Sequence, residues 1–89
     1  MKLEKIELYR MYLTDKEVNL LDEICGEHIY IRYLYSNGYW TTELMRTIEI
    51  IKILDLLNKE FHRQLDEENN KEYAVEIKTL IDNIKCEFF

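Results

Sequence analysis

The sequence predicts an α+β domain in which a small antiparallel sheet, in the order β-α-β-β-α-α, packs against a C-terminal antiparallel helical hairpin. Three observations carry that prediction. Thr14-Asp15-Lys16-Glu17 is a capping box placed just ahead of an apolar stripe. His28 to Tyr35 is a run of β-branched and aromatic residues that leads into Asn37-Gly38, the strongest short signal for a two-residue hairpin. Two long amphipathic runs are parted by the polar break Glu67-Glu68-Asn69-Asn70. The competing architecture is an all-α bundle, in which residues 28–36 form a helix and Asn37-Gly38 its C-terminal cap.

Each element has its own warrant. Residues 3–13 mix helical and strand periods, and the alternation of Tyr9, Met11 and Leu13 favours a strand. In the capping box, Thr14 takes the Glu17 amide and Glu17 reaches back to the Thr14 amide, so a helix spans 15–25. Val18, Leu21 and Cys25 form its stripe, Leu20 and Ile24 widen it, and Gly26 is the expected left-handed end. In the strand at 28–35, Ile29, Ile31, Tyr33 and Tyr35 point inward while Tyr30 and Arg32 point outward, and Tyr39 to Thr41 return. Thr42 is the expected cap of a helix over 43–66, with Leu44, Ile48, Ile51, Leu54, Leu57, Phe61 and Leu65 on its apolar side. Met45, Ile50, Ile53 and Leu56 broaden that side, and Glu49, Lys52, Asp55, Lys59 and Arg63 mark the solvated one. Asn69 with Glu72 caps the last helix, whose face is Tyr73, Ile77, Leu80, Ile84 and Phe88; the short connection makes it antiparallel to its predecessor.

Eighty-nine residues suffice for one core and no more, so the whole chain, 1–89, reads as a single domain. A chain of this size buries only about 60 to 65% of its unfolded surface, which favours added cover from a partner or a second copy. Hydrophobic residues at 47% exclude an intrinsically disordered segment. A net charge of −6 repels phosphate backbones, so no direct nucleic-acid binding is expected, and a partner with a basic surface is favoured. Charges interrupt the N-terminal MKLEKIELYR, and no stretch reaches the roughly 18 apolar residues of a membrane span, so the expected location is cytoplasmic. Abundant Ile, Lys, Glu, Asn and Tyr, a single alanine (Ala74) and no proline match AT-rich codons, as in a low-GC bacterium or its phage.

Candidate chemistry is sparse. Cys25 and His28 form a C-x-x-H pair that His62 and Cys86 would complete as a zinc tetrahedron, but both cysteines fall on apolar helix faces and read as buried thiols. His62 has no Glu-x-x-His frame, Ser36 no nucleophile elbow, and no glycine pattern cradles a phosphate; neither an enzyme nor a cofactor is expected. The best candidates are the rings around the hairpin, Tyr30, Tyr33, Tyr35, Tyr39 and Trp40, because Tyr, Trp and Arg dominate the buried centres of protein interfaces. The expected partner-binding set is Tyr30, Arg32, Tyr39 and Trp40 with the acidic tip Asp66, Glu67 and Glu68. Rows built from those acids, Glu72, Asp15, Glu17, Asp22 and Glu23 suggest mimicry of a DNA backbone as a third reading, although cations are interspersed.

No motif specific to one family is present. In type, the chain resembles the small, acidic, motif-poor proteins of bacterial mobile elements, many of which look like inhibitors or adaptors. That resemblance implies a stoichiometric module, such as a phage inhibitor, that occludes a host or defence protein. A different expectation is a structural or regulatory homodimer joined through Ile50, Ile53 and Leu56.

Overall fold

The computed structural model describes Met1 and residues 7–88, Phe88 in its backbone alone. The strand expected over 3–13 therefore lies partly outside the described residues, as does the side chain of Phe88. In chain order the elements are β1 (Leu8–Tyr9), β2 (Tyr12–Leu13), α1 (Asp15–Cys25), β3 (Tyr33–Ser36), β4 (Tyr39–Thr42), β5 (Met45–Arg46), α2 (Thr47–Asp66) and α3 (Lys71–Phe88). The fold is α+β with a C-terminal helical hairpin, as predicted. Its strands form two antiparallel sheets, β1-β5 and β2-β4-β3, where the sequence suggested one. The ladder breaks at Met11 and Thr42: the Met11 amide donates to Thr42 Oγ1 at 3.0 Å, so a hydroxyl replaces the carbonyl that would continue the pairing.

α1 follows from its sequence. The Glu17 amide donates to Thr14 Oγ1 at 3.3 Å and the Thr14 amide to Glu17 Oε1 at 2.9 Å, closing the box. Its end differs from expectation, because Gly26 is right-handed, with φ −59° and ψ −29°. A close approach explains the glycine: a Cβ there would lie 2.3 Å from the Asp22 carbonyl oxygen. Leu20, Leu21 and Cys25 are buried.

The hairpin forms around Asn37 (φ 54°) and Gly38 (φ 85°), the two positive values that a type I′ turn requires. It pairs Ser36 with Tyr39, Tyr35 with Trp40, Leu34 with Thr41 and Tyr33 with Thr42. Residues 28–32 are not a strand. The amides of His28 and Ile29 both donate to the Cys25 carbonyl at 2.9 Å, which curls the chain, and β4 ends opposite Tyr33. The expected alternation survives in part: Ile29, Ile31 and Tyr33 pack on the core while Tyr30 is exposed, but Tyr35, expected inward, is 59% exposed because it lies past the core near the hairpin turn.

Thr42 does not cap a helix; it is a strand residue, 1% exposed, whose amide donates to the Met11 carbonyl. α2 starts at Thr47, four residues later than expected, because Met45 and Arg46 pair with β1. The Arg46 amide then donates to Glu49 Oε1 at 3.2 Å. The buried side of α2 is Ile50, Ile53, Leu54 and Leu57, while Ile48, Ile51 and Leu65 face outward; Leu44, expected on the apolar side of the helix, lies ahead of β5 and is exposed. The seam is turned relative to the predicted one because α1 and α3 both pack against α2 and together choose its buried sector. The interhelical turn ends with the Asn70 amide on the Gln64 carbonyl at 2.8 Å. Asn69 supplies the left-handed residue (φ 51°), so the cap of α3 is Asn70, whose Oδ1 accepts from the Tyr73 amide at 3.2 Å. α3 buries Ala74, Ile77, Leu80, Ile81 and Ile84. One core results, running from Leu13 and Met45 through Leu20, Leu21 and Cys25 to the helical hairpin.

Candidate interaction surface

Directly opposed strand residues share a face, so the register sorts the side chains of the three-stranded sheet. Leu13, Trp40 and Tyr35 lie on one side, and Tyr12, Thr41 and Leu34 on the other, joined by the pair Tyr39 and Ser36. Leu13 is buried, which makes its side the inner one. On the outer side Tyr12, Leu34 and Tyr39 are 68%, 57% and 56% exposed. Thr41 lies among them, its hydroxyl donating to the Leu34 carbonyl at 3.3 Å. The result is a sheet face of two tyrosines and a leucine covered by nothing among the described residues.

The predicted partner-binding residues divide. Tyr39 sits on this outer face. Arg32 lies just ahead of β3 and pairs with Glu43 at 3.4 Å, both side chains largely exposed. Tyr30, at 88% exposure, stands on the irregular segment before it. Trp40 falls on the opposite face and serves structure: its Nε1 donates to Asp15 Oδ1 at 2.5 Å, and its ring packs on Tyr35 with centroids 5.0 Å apart. It ties the sheet to the first turn of α1. Asp66, Glu67 and Glu68 are exposed at the end of α2, and none is bonded to the sheet among the described residues; Glu68 is held by Arg63 at 2.9 Å. Tyr12 and Leu34 were missed, although the alternation that sends Leu13 and Tyr33 inward sends both of them outward.

Part of the charge on the helices is neutralised locally. Arg63 donates through Nε and Nη2 to Glu60 and through Nη1 to Glu68. Those hydrogen bonds hold the Glu60 carboxyl below its ordinary range and raise the guanidinium further. Lys16 pairs with Glu76, Lys59 with Asp55 and Lys78 with Asp82. Asp15 holds Trp40, Glu17 closes the capping box and Glu23 accepts the Tyr73 hydroxyl at 3.0 Å, so three acids of the anionic rows are also intramolecular anchors. Desolvation, reinforced by Glu23, pushes the Tyr73 phenol up to about 12.

The cysteines differ from each other. Cys25 is buried, and desolvation pushes its thiol up to about 11. Cys86, expected to be buried, is exposed, because Ile84 and not Cys86 falls on the packed side of α3. Ellman's reagent is therefore expected to titrate Cys86 promptly in the native protein and Cys25 only after unfolding; equal rates for both would contradict the packing of α1. Among the described residues no group of three or more His, Cys, Asp and Glu could hold a metal ion. The buried Tyr33 hydroxyl has no hydrogen-bond partner among the described residues, and burial, reinforced by Asp22 and Cys25, pushes it up to about 12. His62 is exposed with its ring edge-on to Phe61. No helix among the described residues is long and apolar enough to cross a membrane.

Comparison with family models, with curated proteins and with solved structures finds no match to the chain. The functional reading consequently rests on the surface itself.

Proposed function

We propose that this protein is a non-enzymatic binding module that acts by steric occlusion, docking a protein partner against the outer face of its three-stranded sheet. The carrying observation is the exposure of Tyr12, Leu34 and Tyr39 together on one sheet face, beside the Arg32–Glu43 pair. Tyr and Arg are enriched where interfaces bury their centres, and a sheet face presents them with little entropy to lose. A net charge of −6 steers basic partners toward the molecule, which makes association faster at low salt.

A tagged chain used to capture partners from lysate is expected to retain a stoichiometric protein. Leu34→Glu and Tyr39→Ala should each weaken that capture by at least about tenfold, the order of a 1.4 kcal/mol loss, while the circular-dichroism melt stays within a few degrees of the parent. Undiminished capture by both variants would move the contact off this face. Absence of any stoichiometric partner would remove the reading altogether.

A homodimer is the second reading, and a specific observation favours it: Ile48 and Ile51 lie three residues apart on α2 and are 56% and 46% exposed, with Leu44, 53% exposed, just ahead of β5. The triad expected to join two copies is not available for that purpose. Ile50 and Ile53 are 2% and 0% exposed and Leu56 is half-buried, so these residues close the core of the single chain.

A further inference from the structure

A groove runs along the edge of β2. One wall is residues 10–14 and the other is the side of α3 that carries Leu80, Asn83, Ile84 and Glu87, enclosing about 560 Å³. It continues into a second hollow of about 430 Å³ between α1 and α3, which shares Thr14, Glu17, Leu80 and Asn83 with the first. Both the inward Leu13 and the outward Tyr12 line the first hollow, and Tyr39 of β4 joins them past the end of β2, so the hollow reaches both faces of β2 and meets one rim of the outer sheet face. β2 pairs with β4 on one side, and no described strand occupies the other. The Thr42 amide donates to the Met11 carbonyl, so the ladder's alternation turns the amide and carbonyl of the next residue, Tyr12, toward the open edge.

We infer that this groove receives an extended segment of the protein partner, which adds to β2 as a further strand. The inference rests on the binding-module reading and extends its contact from the Tyr12 and Tyr39 rim of the outer sheet face into the groove. An open strand edge selects for extended backbone, because only a strand presents donors and acceptors at matching intervals. The side chains of such a segment alternate, one set falling on Leu80 and Ile84, buried at 2% and 7%, and the other pointing out past the rim. Rim charge decides the second set. Lys16 is taken by Glu76, which leaves Arg10 against the two carboxylates Glu17 and Glu87, a net negative rim on a chain of net charge −6. The occupant is therefore apolar at alternate positions and basic between them. The edge of β3, equally open, borders none of the hollows described here, so it offers hydrogen bonds without pockets.

The test is titration of the full, isotope-labelled chain with three short synthetic peptides, followed by amide resonances. Valine alternating with lysine is expected to shift residues 10–14 and 80–87 saturably. Methylating the alternate backbone nitrogens, or replacing lysine by glutamate, should each weaken binding by about tenfold, through lost hydrogen bonds and through charge repulsion. Asn83→Trp plugs the groove from an exposed position and should abolish the shifts with the circular-dichroism spectrum unchanged. Absence of shifts, shifts centred on Leu34 and Thr41, or indifference to N-methylation would overturn the inference. Its failure is separable from that of the underlying reading: if Asn83→Trp captures partners as the parent does while Leu34→Glu does not, the groove is dispensable and the sheet face remains the binding surface.

Discussion

Ile53→Glu is expected to abolish folding. Ile53 is 0% exposed and belongs to the core formed with Leu21, Leu57, Ile77 and Ile81. A carboxylate there loses the transfer free energy of the isoleucine and is buried without a partner, which together cost more than about 4 kcal/mol. A domain of this length has only about 4 to 13 kcal/mol of total stability, so the variant should show little native ellipticity and no cooperative melt. Ile51→Glu is the informative neighbour. At 46% exposure it should change stability by less than about 1 kcal/mol. If Leu44, Ile48 and Ile51 join two copies, Ile51→Glu halves the mass seen by light scattering while preserving the melt; an unchanged mass removes the homodimer reading. A folded Ile53→Glu would show that the buried sector of α2 is misassigned.

Stability is expected to fall steeply in alkali. The Cys25 thiol is raised from 9.0 to about 11, and the Tyr33 and Tyr73 phenols from 10.0 to about 12. Each folded group holds its proton more tightly than its unfolded counterpart, so its contribution is complete below the unfolded value and is lost as pH rises through the folded one. The thiol acts between pH 9 and about 11, the phenols between pH 10 and about 12. For Cys25, buried throughout, the loss is on the order of 2 kcal/mol; the partly exposed phenols add less than their shifts alone imply. Urea midpoints measured between pH 8 and pH 11 should decline accordingly, and Cys25→Ala should flatten the first part of that decline. A flat profile in the parent protein would mean that Cys25 is accessible to water in the native state.

Glu60 marks the acid side. Its carboxyl is depressed chiefly by the Arg63 hydrogen bonds, so its contribution is present above the ordinary carboxylate range and is lost as pH falls. The pair lies near the surface and adds little, which leaves the alkaline limb as the dominant feature.

Features closed by neighbours in sequence were determined by the sequence itself. The Thr14–Glu17 box, the Asn37-Gly38 turn and the antiparallel run of α2 and α3 each depend on hydrogen bonds or backbone angles within a few residues, and all three stand where the residues place them. The inward alternation of Ile29, Ile31 and Tyr33 was legible for the same reason, although the strand containing them is shorter than its composition suggests. Tertiary structure decided the rest. Thr42 has the chemistry of a cap, but its hydroxyl accepts from the amide of Met11, just ahead of β2, and the helix start moves to Thr47. Nearly every turn of α2 carries more apolar residues than one face holds; α1 and α3 bury Ile50, Ile53 and Leu57 and leave Ile48 and Ile51 outside. Trp40 and Tyr39 are adjacent and equally suited to an interface, and the pleat sends one to Asp15 and the other to solvent. Local bonds fix an element's type and ends, whereas burial is shared among elements distant in sequence, and only their packing selects the face that remains free to bind.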